Sequence, residues 1–434
     1  MLNFNQALAN ERNTKSLVLG MTQRNPKSLV LGMTHSSTSL PSPKPRASRN
    51  SLKRPSEILD MMEPLREVRD GYLISLNLGS PPQIIQVYMD TGSDLTWVPC
   101  GNVSFDCMDC DDYKNNKLIP TYFSPSLSSS CTRDLCSSSS CMEIHSSDNF
   151  YDPCTMAGCS LATLVKSTCS RPCPLFSYTY AVGAVTGFGR GALSLPSQLG
   201  FLKKGFSHCF LGFKFANNPN ISSPLVVGDV AIASKDYLQF TPMLKTPMNP
   251  NYYYIGLEAI TIGNASTVKV PLNLREFDPQ GNGAMLIDSG TTYTQLPEPL
   301  YSQLLSNLQS AITYPRAKDI ETRTSFDLCY KVPCTNNNIF TDDLPSITFH
   351  FLNNVSLILP QGNHFYAMGA PSESTVVKCL LFQSMDANAS GPAGVFGSFQ
   401  QQNVEVVYDL EQERVGFKPR DCALAAAAQG LHKI

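Results

Sequence analysis

Charge is scarce in this chain of 434 residues, at 16% Asp, Glu, Lys and Arg, and there is a single tryptophan, Trp97. Low charge beside 42% hydrophobic residues is a globular balance, which excludes disorder over most of the length. No apolar run reaches eighteen residues, so a membrane-spanning helix is excluded. The first residues, MLNFNQALANERNTK, hold no apolar core of a secretory signal. Neither His-Glu-x-x-His nor Gly-x-Ser-x-Gly occurs, which removes the common zinc-protease and serine-hydrolase signatures. The six histidines (His35, His145, His208, His350, His364 and His432) are scattered and form no ligand cluster, so neither metal nor cofactor is expected.

The net charge of -2 hides an asymmetry. Residues 1–56 hold nine Lys/Arg against one acid, Glu11, which leaves 24 basic and 34 acidic residues in the remainder. An acidic body argues against a nucleic-acid or anionic-membrane partner. The basic leader is rich in Ser and Thr and repeats itself: Lys15-Ser-Leu-Val-Leu-Gly-Met-Thr returns at Lys27. Three readings stay open for it: an altered start, a plastid transit peptide, or a disordered leader. The whole of 1–64 is expected to be disordered, with the stretch 57–69 as the end of a removable prosegment.

Cysteine is abundant where charge is not. Ten of the fifteen lie between Cys100 and Cys173, a density that points to disulfides and an oxidising compartment. The metal alternative rests on Cys107-Met-Asp-Cys110, which lacks a second pair at knuckle spacing. The stretch 100–173 reads as a disulfide-stapled surface insert without helical period, and the odd total leaves at least one thiol unpaired within the chain. An extracellular or vacuolar location is expected, with a plastid as the alternative. Sequons at Asn102, Asn220, Asn264, Asn354 and Asn388 are potential glycan sites.

From Gly71 onward, short apolar segments such as Tyr72-Leu-Ile-Ser-Leu-Asn-Leu alternate with Gly, Pro and Asn turns, the pattern of an all-β-dominated protein. One clear helix is predicted over Pro297–Ile312 from Leu300, Leu304, Leu305, Leu308 and Ile312. The segment Val87-Tyr-Met-Asp90-Thr-Gly-Ser93 recurs as Met285-Leu-Ile-Asp288-Ser-Gly-Thr291, so two related lobes are expected. Their bounds are 65–243 and 250–423, with the Pro-rich Thr241–Pro250 as connector and a frayed tail over 424–434.

Each repeat is an apolar strand that ends in a carboxylate on a glycine turn. Gly92 and Gly290 permit the close turn, and Ser93 and Thr291 place a hydroxyl beside the acid. Two such loops meeting across a pseudo-two-fold axis would set two carboxyls a hydrogen bond apart, sharing one proton. A water between them has a base on one side, while the protonated partner polarises a carbonyl. That is machinery for amide hydrolysis without metal or covalent intermediate.

The chain resembles the pepsin-like aspartic proteases, and within them the plant nepenthesin type, over about residues 70–422. The residues that carry this are Asp90-Thr-Gly-Ser-Asp-Leu-Thr-Trp-Val-Pro-Cys100, Gly187-Phe-Gly-Arg-Gly191, Asp288-Ser-Gly-Thr-Thr-Tyr-Thr-Gln-Leu-Pro297, and Gly397-Ser-Phe-Gln-Gln-Gln-Asn403. The resemblance implies a bilobal double β-barrel with a few short helices, acting as a monomer on protein and peptide substrates. It implies that Asp90 and Asp288 are the catalytic pair, with Thr91 and Ser289 tying the two loops together. Tyr180 would be the tip of a flap over the substrate, and the Trp97 indole N–H would reach that tyrosine.

The chain departs from the family at one place. Tyr180 and Gly187 are seven positions apart, where relatives place a few tens of residues. Val185-Thr186-Gly187 must therefore be either the flap's turn or the segment crossing behind the first loop, and the N-terminal lobe is expected to be shortened. A flap hairpin without its return strand loses its ladder, which would impair activity even with both aspartates in place. The competing reading is an inactive homologue that binds and inhibits plant-cell-wall hydrolases.

Overall fold

The computed structural model describes residues 21–25, 28–36, 71–98, 122–145, 170–173, 184–200, 204–215, 220–233, 237–264, 266–324, 326–333, 344–372, 374–385 and 390–431, with 154, 157, 218 and 235 singly. The predominance of strands follows from the alternation in the sequence. In Gly71–Leu78 the side chains of Tyr72, Ile74, Leu76 and Leu78 are buried while those between them are half-exposed, a period of two. The central strands Ser223–Gly228 and Val404–Asp409 are buried throughout, because both faces of their sheet are covered.

The largest sheet has ten strands. Its order is Val185–Gly187, Gln83–Asp90, Gly71–Leu78, Ser28–Ser36, Ser223–Gly228, Gly205–Cys209, Val404–Asp409, Arg414–Pro419 and Gln239–Pro242, with Met21–Asn25 hairpinned onto Ser28–Ser36. Strands from the two halves of the chain thus share one sheet, through Glu405 opposite Cys209 and Tyr408 opposite Phe206. A five-stranded sheet carries Met285–Asp288 between Gly394–Gly397 and Tyr254–Ile255. Sheets of four and three strands complete the second half.

Three sequence expectations are corrected. The leader is not uniformly disordered: Ser28–Ser36, the second copy of the repeat, is hydrogen-bonded to strands on both sides, with Met33 opposite Ile74 and Leu29 opposite Val227. Its β-prone Leu29-Val30-Leu31 satisfies two otherwise open strand edges, a gain that average composition does not register. The predicted helix begins at Leu300, not Pro297, since Thr294–Pro297 is a strand and Pro299 caps the helix Leu300–Ala311. The tail expected to fray contains the helix Cys422–Ala428. Asp421 Oδ1 accepts from Ala423 and Leu424 N–H at 2.9 and 3.1 Å, and a Cys209–Cys422 disulfide pins the helix to the sheet. The segment expected as connector starts in the strand Gln239–Pro242, which pairs with Arg414–Pro419.

Disulfides join Cys136 to Cys154, Cys141 to Cys173, Cys209 to Cys422 and Cys329 to Cys379, while Cys131 is a free cysteine among the described residues. The insert is stapled as expected, but it also holds a short helix, Ser139–Ile144, whose N-cap Ser138 accepts from Cys141 N–H. Cys107 and Cys110 lie outside the described residues. No helix among the described residues is long and apolar enough to cross a membrane.

Candidate active site

Asp90 closes a strand in which Ile85, Val87 and Met89 are buried, and Asp288 one in which Met285, Leu286 and Ile287 are buried, so the backbone that carries them is fixed by the core. The two turns that follow have the same bonding. Gly92 N–H donates to Asp90 Oδ1 at 2.9 Å and the Ser93 hydroxyl to Oδ2 at 2.6 Å. Gly290 N–H donates to Asp288 Oδ1 at 2.7 Å and the Thr291 hydroxyl to Oδ2 at 2.6 Å.

Thr91 and Ser289, both fully buried, lock one turn to the other. The Thr91 hydroxyl donates to the Ile287 carbonyl at 3.1 Å and accepts from Ser289 N–H at 2.9 Å. The Ser289 hydroxyl donates to the Met89 carbonyl at 2.8 Å and accepts from Thr91 N–H at 3.1 Å. The exchange is reciprocal, as a pseudo-two-fold relation between the loops requires. The glycines allow the approach: a Cβ on Gly92 would fall 2.6 Å from Asp288 Cγ, and one on Gly290 would fall 2.7 Å from Asp90 Cγ.

The two carboxyls are in hydrogen-bond contact. Burial, and after it the Asp90 carboxylate, hold the Asp288 carboxyl well above the ordinary range, against the pull of the Thr291 and Gly290 hydrogen bonds. Like charges this close cannot both ionise easily, so one proton is retained between them in mildly acidic solution. The arrangement combines a general base and a general acid within reach of one water.

A crossing strand backs each loop. Val185–Gly187 runs parallel to the first, with Asp90 opposite Gly187, and Gly394–Gly397 runs parallel to the second, with Asp288 opposite Gly397. This resolves the alternative left open by the sequence: Val185-Thr186-Gly187 is the crossing segment, not the flap's turn. Trp97 bridges the same segment through its backbone, its N–H donating to the Val185 carbonyl at 2.9 Å. Tyr180 lies outside the described residues. Beneath the pair, Phe206 stacks on Tyr408 at 4.3 Å, and the Tyr253 hydroxyl donates to the Phe188 carbonyl at 2.8 Å.

Models for the xylanase inhibitor N-terminal and C-terminal families match residues 72–170 and 252–419. A probable aspartyl protease of Arabidopsis thaliana is 32% identical over 423 residues, covering 81% of this chain and 82% of that protein. The chain belongs to the plant pepsin-like aspartic protease family. Another relative in the family, aspartic proteinase nepenthesin-1 of Nepenthes gracilis, is 31% identical over 376 residues, or 81% of this chain and 78% of its own. Among solved structures, conglutin gamma, a basic 7S globulin from lupine seeds, superposes with a TM-score of 0.58 at 15% identity, covering 94% of this chain and 100% of that one. At that identity the likeness speaks for the fold alone, a mostly β pepsin-like architecture with few short helices, as the sequence led one to expect.

Sequence reasoning missed the contact between Asp94, on the first loop, and Asn251. The available signal was the spacing of Gly187, Gly189 and Gly191, every second residue, where backbone must pass close to something.

Proposed function

We propose that this chain is an aspartic endopeptidase that hydrolyses peptide bonds at acidic pH. The observation that carries the reading is the hydrogen-bonded Asp90–Asp288 pair, held by the reciprocal Thr91 and Ser289 bonds and kept partly protonated by burial. The ionised carboxylate takes a proton from a water held between the two, and the resulting hydroxide adds to the substrate carbonyl carbon. The protonated carboxyl donates its hydrogen bond to the carbonyl oxygen and stabilises the tetrahedral species. Proton transfer to the amide nitrogen then releases the amine and restores the pair.

Ser93, Thr291, Gly92 and Gly290 orient the two carboxyls. The substrates proposed are extended segments of proteins, with Tyr180 and Trp97 on the flap side, and the chain is proposed to act as a monomer. The disulfides support an oxidising compartment, outside the cell or in the vacuole.

A second reading, a binding protein that inhibits plant-cell-wall hydrolases, is favoured by the xylanase inhibitor families that match both halves. Incubation with a denatured protein at acid pH, with and without a transition-state-mimicking peptide, separates the two. Cleavage that the peptide blocks and that Asp288→Asn abolishes is the expected result. No inhibitable cleavage, together with inhibition of a xylanase by the same preparation, would overturn the enzyme reading in favour of the second.

A further inference from the structure

The run Gly187-Phe-Gly-Arg-Gly191 wraps a third carboxylate. Asp94 stands four residues after Asp90, half-buried, and its Oδ1 accepts Gly191 N–H at 2.7 Å. The Asn251 side chain donates to the same carboxyl. The wrap leaves no room for side chains: a Cβ on Gly191 would fall 2.6 Å from Asp94 Cγ, and one on Gly189 would fall 2.9 Å from both the Ser93 and Asn251 carbonyl oxygens.

The wrapping backbone is itself anchored to the loop and to the second half of the chain. Phe188 N–H donates to the Asp90 carbonyl at 2.7 Å, Gly189 N–H to that of Ser93 at 2.9 Å, and Arg190 N–H to that of Asn251 at 2.8 Å. The Arg190 guanidinium grips Glu413 at 2.8 and 3.0 Å. Asp94 is thus the node where the first loop, its crossing segment and Asn251 meet. The equivalent position of the second repeat, four residues after Asp288, is Thr292. The charge therefore stands on one side only of an otherwise symmetric pair.

We infer that Asp94 is a positioning residue whose negative charge makes the Asp90–Asp288 pair hold its shared proton to higher pH, extending the pair's working range toward neutrality. This deepens the proteolytic reading and rests on it for the rate effect alone. Burial, foremost, raises the Asp94 carboxyl to about 6, against the hydrogen bonds from Gly191 and Asn251, so its charge appears within the range that matters. The titratable groups that face it are Asp90 on its own loop, Glu143 on the helix Ser139–Ile144, and Tyr252 and Tyr253 after Asn251. Both acids oppose its ionisation, whereas its own charge pushes the two tyrosines up. Arg190, the nearby cation, is engaged by Glu413. A negative charge beside the pair favours the protonated form, so removing it must lower the pH at which the last shared proton leaves.

Asp94→Asn keeps an oxygen for Gly191 N–H and removes the charge, along with one of the two acceptor oxygens. The test is the carboxyl titration of the full chain labelled with carbon-13 at the aspartate carboxyls, with Asp90 and Asp288 assigned from their own Asn variants. Alongside it, kcat/KM is followed against pH. The expected result is a shift of the pair's upper titration step by about half to one pH unit toward acid, with the alkaline limb of kcat/KM moving equally. An unmoved upper step in folded Asp94→Asn overturns the inference. If that variant does not fold, Asp94→Ser, which keeps an acceptor and mimics position 292, is titrated instead under the same criterion. A titration step that moves in a protein without turnover would sink the proteolytic reading and leave the coupling intact.

Discussion

Gly92 and Asp288 lie on opposite loops, yet one methyl group on Gly92 would stand 2.6 Å from the Asp288 Cγ. The two carboxyls are as close as they are because neither glycine has a side chain. Gly92→Ala must therefore part the loops or turn Asp288 aside. A displacement on the order of 1 Å in a reacting group costs about 100-fold in rate. The variant is expected to lose at least that in kcat while its melting temperature falls little, as steady-state kinetics and a thermal melt would show. Activity within a few-fold of the parent would contradict the close-packed geometry.

Ser289→Ala removes two of the four bonds between the loops and leaves the Met89 carbonyl and Thr91 N–H buried without those partners. Each such group costs roughly 1–3 kcal/mol. Chemical denaturation is expected to report a loss of about 2–5 kcal/mol. Ser289→Thr, which restores the hydroxyl and matches Thr91 across the pseudo-axis, is expected to recover most of it.

Two buried histidines set an acid limit on the fold. His208 lies on the strand Gly205–Cys209 with its ring stacked on Phe210 at 3.9 Å, and neither ring nitrogen has a hydrogen-bond partner. Burial lowers it to about 3, and burial likewise lowers His364 to about 4. Below pH 6.5 the unfolded chain takes up protons that the folded one refuses, so stability falls with pH by about 1.4 kcal/mol per unit for each histidine. The loss continues until the folded values are reached; above pH 6.5 neither histidine matters. His208→Phe keeps the stack, so its melting temperature is expected to gain on the parent as pH is lowered from 7 to 4. A constant gap across that range would show that His208 is not responsible. The four described disulfides oppose that loss by constraining the unfolded chain.

The site was legible in the sequence to an unusual depth because its parts are local. A carboxylate, a glycine and a hydroxyl in consecutive positions at the end of an apolar strand write their own hydrogen bonds, and the repeat at Asp288 doubles the signal. The docked helix Cys422–Ala428 was not legible, because a run of alanines has no apolar period and its anchor, Cys209, is 213 residues away. The leader strand was missed because a basic, Ser-rich composition describes the average of a segment and not the sheet edges open to nine of its residues.

By itself the sequence determined the class of fold and its recurring parts: two aspartates on matched turns, a chain of short alternating strands, and an insert dense in cysteine. Only the tertiary structure decided how these meet. That Val185–Gly187 crosses behind Asp90, that Ser28–Ser36 lies between Gly71–Leu78 and Ser223–Gly228, and that Asp94 sits inside a ring of glycines all depend on strand partners distant along the chain. Local propensity says which residues form a strand. Which edge that strand joins is settled by the backbone hydrogen bonds and buried area that the whole fold offers at once.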